Sequence, residues 1–161
     1  KYKDLLLASV KDVAVGSSDP VKLKFGHAMH RLVIKYSIDA SSTVTAADIV
    51  TVCNAKSSCK VDMLSGSLDS SESSKSQFEA EGGNVSFMLV PQACSDVEIS
   101  VKAGEASTTF TVDEKTDAYE NLESGKQLTL TLTVKADKIE IGDAEIDGWG
   151  DQGTVDGEII M

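Results

Sequence analysis

His27 and His30 are the residues whose types and spacing come closest to a metal site or a general base, and they are the only histidines of the chain. They form H-x-x-H in a short break between two stretches of alternating apolar and polar residues. A zinc protease needs two histidines one helical turn apart, with a glutamate between them as the base. Neither the spacing nor the glutamate is present. The pair is therefore predicted to pack in, or lie on, a corner between two strands.

Cys53, Cys59 and Cys94 are an odd number of cysteines and do not by themselves make a disulfide framework. Cys53 and Cys59 flank a predicted hairpin turn at residues 54–58, so their side chains could face each other within disulfide reach. A bridge that leaves Cys94 free and a pair of buried thiols are both open alternatives. A nucleophilic cysteine would also need a histidine base nearby in space, which the sequence does not place.

The acidic end of the chain contains two partial motifs. Residues 148–153 spell G-x-G-x-x-G, but a dinucleotide site needs this motif to open a helix, and only eight residues follow it. Residues 147–158 begin and end in acids like an EF-hand loop, yet Trp149 and Gln152 occupy the positions of a ligand and of the required glycine. A solvated acidic terminus is favoured over a weak calcium site formed by Asp143, Asp147, Asp151 and Asp156. The sequence thus predicts no catalytic, cofactor-binding or metal-binding residue and no cofactor.

The composition narrows the class of protein. With 161 residues, of which 41% are hydrophobic, the chain is predicted to form a single domain over residues 1–161. A net charge of −11 argues against binding to nucleic acid or to anionic membrane surfaces. No apolar run approaches the ~20 residues that span a bilayer, so no transmembrane segment is predicted. The chain starts on Lys1 without a signal sequence, and we expect it to come from a longer, exported precursor.

Alternating residues predict strands throughout. Residues 21–38 hold two of them, the first with Val21, Leu23 and Phe25 on its apolar face and the second running from Leu32 to Ile38. Residues 65–76 are serine-rich and are predicted to form an exposed loop. Further strands are predicted at residues 5–7, 49–53, 59–63, 85–90, 97–101, 108–112, 127–135 and 139–141. The predicted fold is an all-β, antiparallel two-sheet β-sandwich of about eight to ten short strands.

Four motifs, in order along the chain, carry a family resemblance. They are D-L-L-x-A at residues 4–8, L-x-F-x-H-A at residues 23–28 followed by L-V-I-K, L-V-P-Q at residues 89–92, and S-G-K-x-L-x-L-x-L-x-V at residues 124–134 leading to I-x-I-G-x-A-x-I-x-x-W at residues 139–149. Together they span about 145 residues. In this combination the chain resembles the fimbrillin-like family of Bacteroidales surface proteins, in which His27 is part of a fingerprint.

The resemblance implies transthyretin-like sandwich domains, export as a lipoprotein, and a place at the cell surface, in a fimbrium on the outer membrane. It also implies maturation by a protease and assembly with other fimbrial subunits by strand exchange. Family members are typically twice as long, so the chain is expected to be the C-terminal half of a two-domain precursor. The family's lipid-bearing cysteine and cleavage site lie in the other half and are not assigned here.

The first functional hypothesis is a structural fimbrial subunit or associated adhesin that is not an enzyme. The alternative is a ligand-binding sandwich module for a carbohydrate or a host protein, aided by calcium. Sparse aromatic residues, with Trp149 the only tryptophan, count against a sugar platform. Residues 153–161, with Val155 and Ile159 separated by acids, are either a donor strand or a terminal edge strand of the same domain, and the second is favoured.

Overall fold

Strands build the chain in its computed structural model, which describes residues 4–11, 13, 16, 20–115, 119–136 and 138–148. Short 3-10 turns at Ala46–Asp48, Cys94–Asp96 and Val112–Lys115 interrupt them. The strands of the described part are β1 (Leu6–Leu7), β2 (Gly26–His27), β3 (His30–Ile38), β4 (Ile49–Lys56), β5 (Lys60–Val61), β6 (Leu68–Asp69), β7 (Lys75–Glu81), β8 (Asn84–Leu89), β9 (Gln92–Ala93), β10 (Glu98–Ala103), β11 (Ala106–Thr111), β12 (Asn121–Leu122), β13 (Lys126–Val134) and β14 (Ile139–Gly148).

Eight of these strands form two four-stranded sheets. The first sheet has the order β11-β10-β4-β7, and the second has the order β14-β13-β3-β8. Neighbouring strands run antiparallel except for β3 and β13, which pair in parallel over eight residues each. The predicted all-β sandwich is confirmed. The parallel pair is an addition to it. Parallel strands need a long connection between them, and here the strands of the first sheet lie within that connection.

The core lies between the inward faces of the two sheets. β13 contributes four fully buried apolar side chains at alternate positions, as its sequence predicts, and β3 contributes two. These are Leu128, Leu130, Leu132 and Val134 on β13 and Leu32 and Ile34 on β3. Phe87 of β8 is the largest of the fully buried side chains in the described residues. Burying a leucine or phenylalanine side chain contributes about 1.5–3 kcal/mol, so this layer is the main source of stability.

A hydrogen bond between two side chains crosses the interior between the sheets. The hydroxyl of Tyr36 on β3 lies 2.6 Å from Oγ1 of Thr51 on β4, and Thr51 is fully buried. Burial raises the pKa of Tyr36 to about 12, and the hydrogen bond with Thr51 opposes part of that rise. The phenol is therefore neutral at physiological pH. It links the two sheets and is not a free aromatic platform for a ligand.

The strand predicted over residues 21–25 is wrong. These residues belong to no strand, and only Gly26–His27, as β2, pairs with β1. Val21, Leu23 and Phe25 are exposed. The alternation is present in the sequence, but no second strand of the described chain lies beside it, and a β-strand is completed by its hydrogen-bonded neighbour.

Between residues 53 and 76, one local prediction is wrong and another is right only in part. β4 pairs with β7 and β10, whereas β5 pairs with β6, so no hairpin joins the strands that flank residues 54–58. The predicted loop at residues 65–76 contains β6 and the first residues of β7. Phe78 and Ala80 of β7 pack against the core at alternate positions. One large apolar residue in seven was too weak a signal for a strand.

Candidate functional site

The histidine corner ties the N-terminal segment to the sandwich. His27 Nδ1 lies 2.5 Å from a carboxylate oxygen of Asp4, to which its N–H donates. The backbone N–H of Ala28 donates to the carbonyl of Leu5 at 2.8 Å. Next to these contacts, β1 and β2 pair over two residues each. The D-L-L-x-A and F-x-H-A motifs, about 20 residues apart in the sequence, therefore form one clamp.

A third motif closes the same corner from the start of β13. The Ser124 hydroxyl donates to the carbonyl of Ala28 at 2.8 Å, and the Gly125 N–H donates to the carbonyl of Met29 at 3.0 Å. Gly125 has φ +70°, and a Cβ at this position would lie 3.1 Å from the carbonyl oxygen of His27. Only glycine meets both conditions without strain. The S-G-K motif thus sets where β13 begins beside β3, and this fixes the register of the parallel pair.

His30 is the buried member of the corner. Its side chain is fully buried, and Nδ1–H donates to the carbonyl of Glu123 at 2.9 Å. Burial lowers the pKa of His30, and the hydrogen bond to the Glu123 carbonyl opposes part of that shift. A neutral imidazole that donates from Nδ1 fits this environment. His27 and His30 thus bond to different parts of the framework and do not converge on a common ligand position.

Mild acid is expected to lower the free energy of unfolding through His30. The unfolded chain takes up a proton near pH 6.5, whereas the folded chain takes it up only at a lower pH. Stability from this group is therefore complete above about pH 6.5 and falls as the pH drops from there toward the folded-state pKa. Urea unfolding between about pH 7 and pH 5 measures the slope.

His30→Gln keeps a donor near Glu123 but does not titrate, so it is the matched control for that measurement. The difference in unfolding free energy between parent and His30→Gln should depend on pH. A difference that stays constant over the range would contradict the assignment.

Cys53, Cys59 and Cys94 form no disulfide with one another. Cys53 and Cys94 are buried, and Cys59 is half-buried. Cys53 faces the core between Ile99 and Phe78 on the neighbouring strands, so it cannot also reach Cys59 across a hairpin that does not form. Burial raises the pKa of Cys53 to about 12 and also raises the pKa of Cys59. Of the two alternatives left by the sequence, the disulfide is wrong.

Thiol labelling is expected to distinguish the cysteines. Cys59 should react slowly but completely in the native protein, because it is accessible and its thiolate is disfavoured. Cys53 and Cys94 should react only after unfolding. A colorimetric thiol assay with and without urea gives the counts, and Cys59→Ser should remove the native phase alone. Native labelling that persists in Cys59→Ser would show that a buried thiol is open to solvent.

The remaining sequence candidates are tested only in part. Asp143 and Asp147 lie on β14, whereas Asp151 and Asp156 lie outside the described residues, as do Trp149, most of the G-x-G-x-x-G stretch and residues 153–161. Across residues 4–148, where the structure describes them, no three His, Cys, Asp or Glu side chains come together as a metal site. No helix of the described chain is long and apolar enough to cross a membrane.

Gln92, in the L-V-P-Q motif, has a role that the sequence did not reveal. Its Oε1 accepts from the backbone N–H of Lys56 at 2.9 Å, and its Nε2 donates to the carbonyl of Val90 at 2.9 Å. Gln92 is buried. Its amide therefore joins the end of β4, in the first sheet, to the segment that leaves β8, in the second. The sequence signal that could have indicated this role is a glutamine that directly follows an apolar run and a proline.

An exposed apolar surface lies beside the histidine corner. Segments 7–9, 24–26 and 63–66 contribute to a cavity of about 410 Å³, which Leu7, Phe25 and Met63 line in part. Phe25 is 51% exposed, Met63 79% and Leu64 93%. We call the exposed apolar side chains of residues 6–25 and 63–64 the N-terminal surface; they are Leu6, Val10, Val13, Val21, Leu23, Phe25, Met63 and Leu64.

The sequence model of the fimbrillin-like family matches residues 1–149. Among solved structures, a "putative cell adhesion protein" from Bacteroides uniformis superposes with a TM-score of 0.68 at 14% identity, covering 81% of this chain and 54% of that one. Another of the same description, from Bacteroides ovatus, gives a TM-score of 0.60 at 19% identity, covering 83% and 50%. No curated protein matches. The chain thus spans about half the length of these structures, and at such identities the likeness shows the fold.

Proposed function

The chain belongs to the fimbrillin-like family, and from that premise we propose that it is a structural subunit of cell-surface fimbriae, or an associated adhesin, that assembles by β-strand addition. Family membership and the shared fold support a fimbrial or adhesive role in general. Our proposal goes further in three respects: assembly by strand addition, other fimbrial subunits as partners, and a place at the outer membrane. In such a role we expect the protein to have no enzymatic activity.

The observation that supports this proposal is how the buried polar side chains are hydrogen-bonded. Three of them bond to another strand or loop: His30 to Glu123, Thr51 to Tyr36, and Gln92 to Lys56 and Val90. Thr129 accepts from Gln127 on its own strand, and Nε2 of His30 has no hydrogen-bond partner among the described residues. An enzyme keeps polar groups in a cleft, oriented toward a substrate. In the described residues, three of the four buried polar side chains instead bond to another strand or loop, which suits a protein whose task is mechanical continuity.

The sheet edges supply the chemistry of strand addition. Each sheet ends in two outer strands, β7 and β11 in the first and β8 and β14 in the second. An edge strand presents a row of main-chain donors and acceptors that an incoming strand can bond. Main-chain bonds provide affinity, and alternate side-chain positions provide register. A strand given by another subunit would therefore extend a sheet of this sandwich without any change of its core.

We further propose that residues 1–161 make one sandwich domain, the C-terminal half of a longer exported lipoprotein precursor. The support is that the chain spans about half the length of the two solved structures described above. The transthyretin-like description of the sandwich belongs to this proposal as well.

The test is processing of the full-length precursor. It is treated with an arginine-specific protease and run unboiled on a denaturing gel, where strand-exchanged subunits should form a ladder that collapses on boiling. The untreated precursor is the control and should run as a single species. If no ladder forms under any processing condition, the proposal that the chain is a polymerising subunit is wrong. A glycan array and binding to host matrix proteins then test the ligand-binding module.

A further inference from the structure

The turn at residues 62–67 carries the two most exposed large hydrophobic side chains of the described chain. Met63 is 79% exposed and Leu64 93%, whereas the other exposed hydrophobic residues of the described part reach at most 52%. A single exposed hydrophobic residue is ordinary, but an apolar patch beside a concave site marks an interaction surface. Met63 lies at such a site, because it lines the cavity of about 410 Å³ together with Leu7 and Phe25.

Hydrogen bonds hold this turn in shape. One carboxylate oxygen of Asp62 accepts from the backbone N–H of Leu64 at 2.9 Å, and the other accepts from the hydroxyl of Ser65 at 2.7 Å. The backbone N–H of Asp62 donates to the carbonyl of Ser67 at 2.9 Å, and the N–H of Gly66 donates to the carbonyl of Asp62 at 2.8 Å. The bond from the Ser65 hydroxyl holds the pKa of Asp62 below its usual range, so the carboxylate is ionised at neutral pH. The two apolar side chains are therefore exposed on a formed turn.

The turn lies close to the start of the chain. Leu7 and Met63 line the same cavity, and Leu7 follows Lys1 by six residues. Because an extended chain covers at most about 3.6 Å per residue, whatever is joined to Lys1 starts within roughly 20 Å of Leu7. A domain joined directly before Lys1 is thus tethered beside this turn.

The solved structures give the size of such a domain. This chain covers 54% and 50% of their lengths, so each of them contains about as much protein again. A domain of about 150 residues has a radius of gyration of about 15 Å, so its width exceeds the reach of the segment that tethers it. A short tether also corresponds to an effective concentration in the millimolar range, at which a weak contact is already closed.

We propose that the turn at residues 62–67 docks on the domain that precedes Lys1 in the precursor, with Met63 and Leu64 buried in an apolar recess of that domain. The recess is apolar because a polar group opposite these side chains would lose its hydration without gaining a hydrogen-bond partner. This inference rests on the proposed place of the chain as the C-terminal half of a precursor, and it deepens that proposal by naming the surface that joins the halves.

Oxidation of Met63 by hydrogen peroxide tests the contact in the full-length precursor. Peroxide transfers one oxygen atom to the thioether sulfur, which gives the sulfoxide and water. Met63 should be oxidised rapidly in the chain of residues 1–161, since it is 79% exposed. In the precursor its oxidation should be about tenfold slower, as for a contact closed about nine-tenths of the time. Mass spectrometry of peptides gives both rates, and equal rates would overturn the proposal.

A methionine placed far from the turn is the control for that comparison. Ser107 is exposed on β11 and pairs with Lys102, which lies beside the start of β4, whereas the turn follows the end of β4. In Ser107→Met the new thioether should be oxidised at the same rate in both proteins. Slower oxidation there in the precursor, by as much as at Met63, would overturn the assignment to the turn.

Leu64→Ser and Leu64→Ile test the second anchor with the same readout. In the precursor, Leu64→Ser should raise the oxidation rate of Met63 toward its value in the chain of residues 1–161, because half of the buried apolar surface is lost. Leu64→Ile keeps an apolar side chain and should keep Met63 protected. Equal protection of Met63 in the two variants would contradict the docking of Leu64.

Photo-cross-linking identifies what covers the turn. Leu64→p-benzoylphenylalanine in the precursor should cross-link to a peptide that precedes Lys1, and the product should run as a single molecule. A cross-link to a second copy, or to a peptide within residues 1–161, would overturn the assignment to the preceding domain. The same result would follow if protection of Met63 in the chain of residues 1–161 rose with its concentration.

This proposal and the proposed subunit role fail separately. A precursor that forms ladders while Met63 is oxidised as fast as in residues 1–161 keeps the subunit role and loses this contact. A precursor that protects Met63 but never forms ladders keeps the contact and loses strand addition.

Discussion

Replacing Phe87 by alanine is expected to lower the free energy of unfolding by about 3–5 kcal/mol. Phe87 is fully buried on β8 and lies opposite Leu32 of β3 in the ladder. Truncation loses the transfer free energy of the ring and leaves a cavity between the two sheets. Because most domains are stable by only about 5–15 kcal/mol, this one change removes a large part of the total.

Urea unfolding measures the effect, and an unchanged m-value shows that both proteins unfold by the same transition. Ser86→Ala is the control, since Ser86 is the neighbour of Phe87 on the exposed face of β8. It should change stability by less than about 0.5 kcal/mol. If Phe87→Ala costs no more than Ser86→Ala, the sandwich does not pack around β8 as described.

Replacing Gln92 by alanine is expected to cost about 2–4 kcal/mol, a large effect for a residue outside the apolar core. The change removes the acceptor for the Lys56 N–H and the donor to the Val90 carbonyl together. Both backbone groups lie where the two sheets approach each other, and a buried group left without a partner costs about 1–3 kcal/mol. Urea unfolding gives the total, and hydrogen exchange at the Lys56 amide shows where the loss occurs.

Gln77→Ala supplies the comparison, because Gln77 is an exposed glutamine on β7. Its loss should be within about 0.5 kcal/mol of zero. A second variant, Gln92→Glu, keeps an acceptor for Lys56 but gives up the donor to Val90, so it should be destabilised as well. If Gln92→Ala and Gln77→Ala are equally stable, Gln92 does not bridge the two sheets as described.

The sequence predicted β3 and β13 correctly because each strand has one buried face and one more exposed face. Period two shows that arrangement directly, and the buried leucines of β13 lie where it predicts. β7 was missed since its buried face holds only Phe78 and Ala80 among charged neighbours. The strand at residues 21–25 was predicted in error because periodicity records which face is meant to be covered and says nothing about what covers it.

For the family motifs, too, the sequence showed the separate parts and the structure showed how they are joined. D-L-L-x-A, F-x-H-A and S-G-K were visible as separate landmarks that carry a family resemblance. The structure joins them: Asp4 bonds His27, and Ser124 bonds Ala28. The H-x-x-H pair, first considered as a metal site or a base, belongs to this clamp.

The sequence alone determined the all-β class, the strands with a clear apolar face and the likeness to fimbrillins, because these depend on residue type and on spacing between near neighbours. Only the tertiary structure decided the parallel pairing of β3 with β13, the free state of Cys53 and Cys59, and the bridge made by Gln92. Each of these depends on which distant strands become neighbours. That choice follows from the burial of many faces at once and leaves no local signal in the chain.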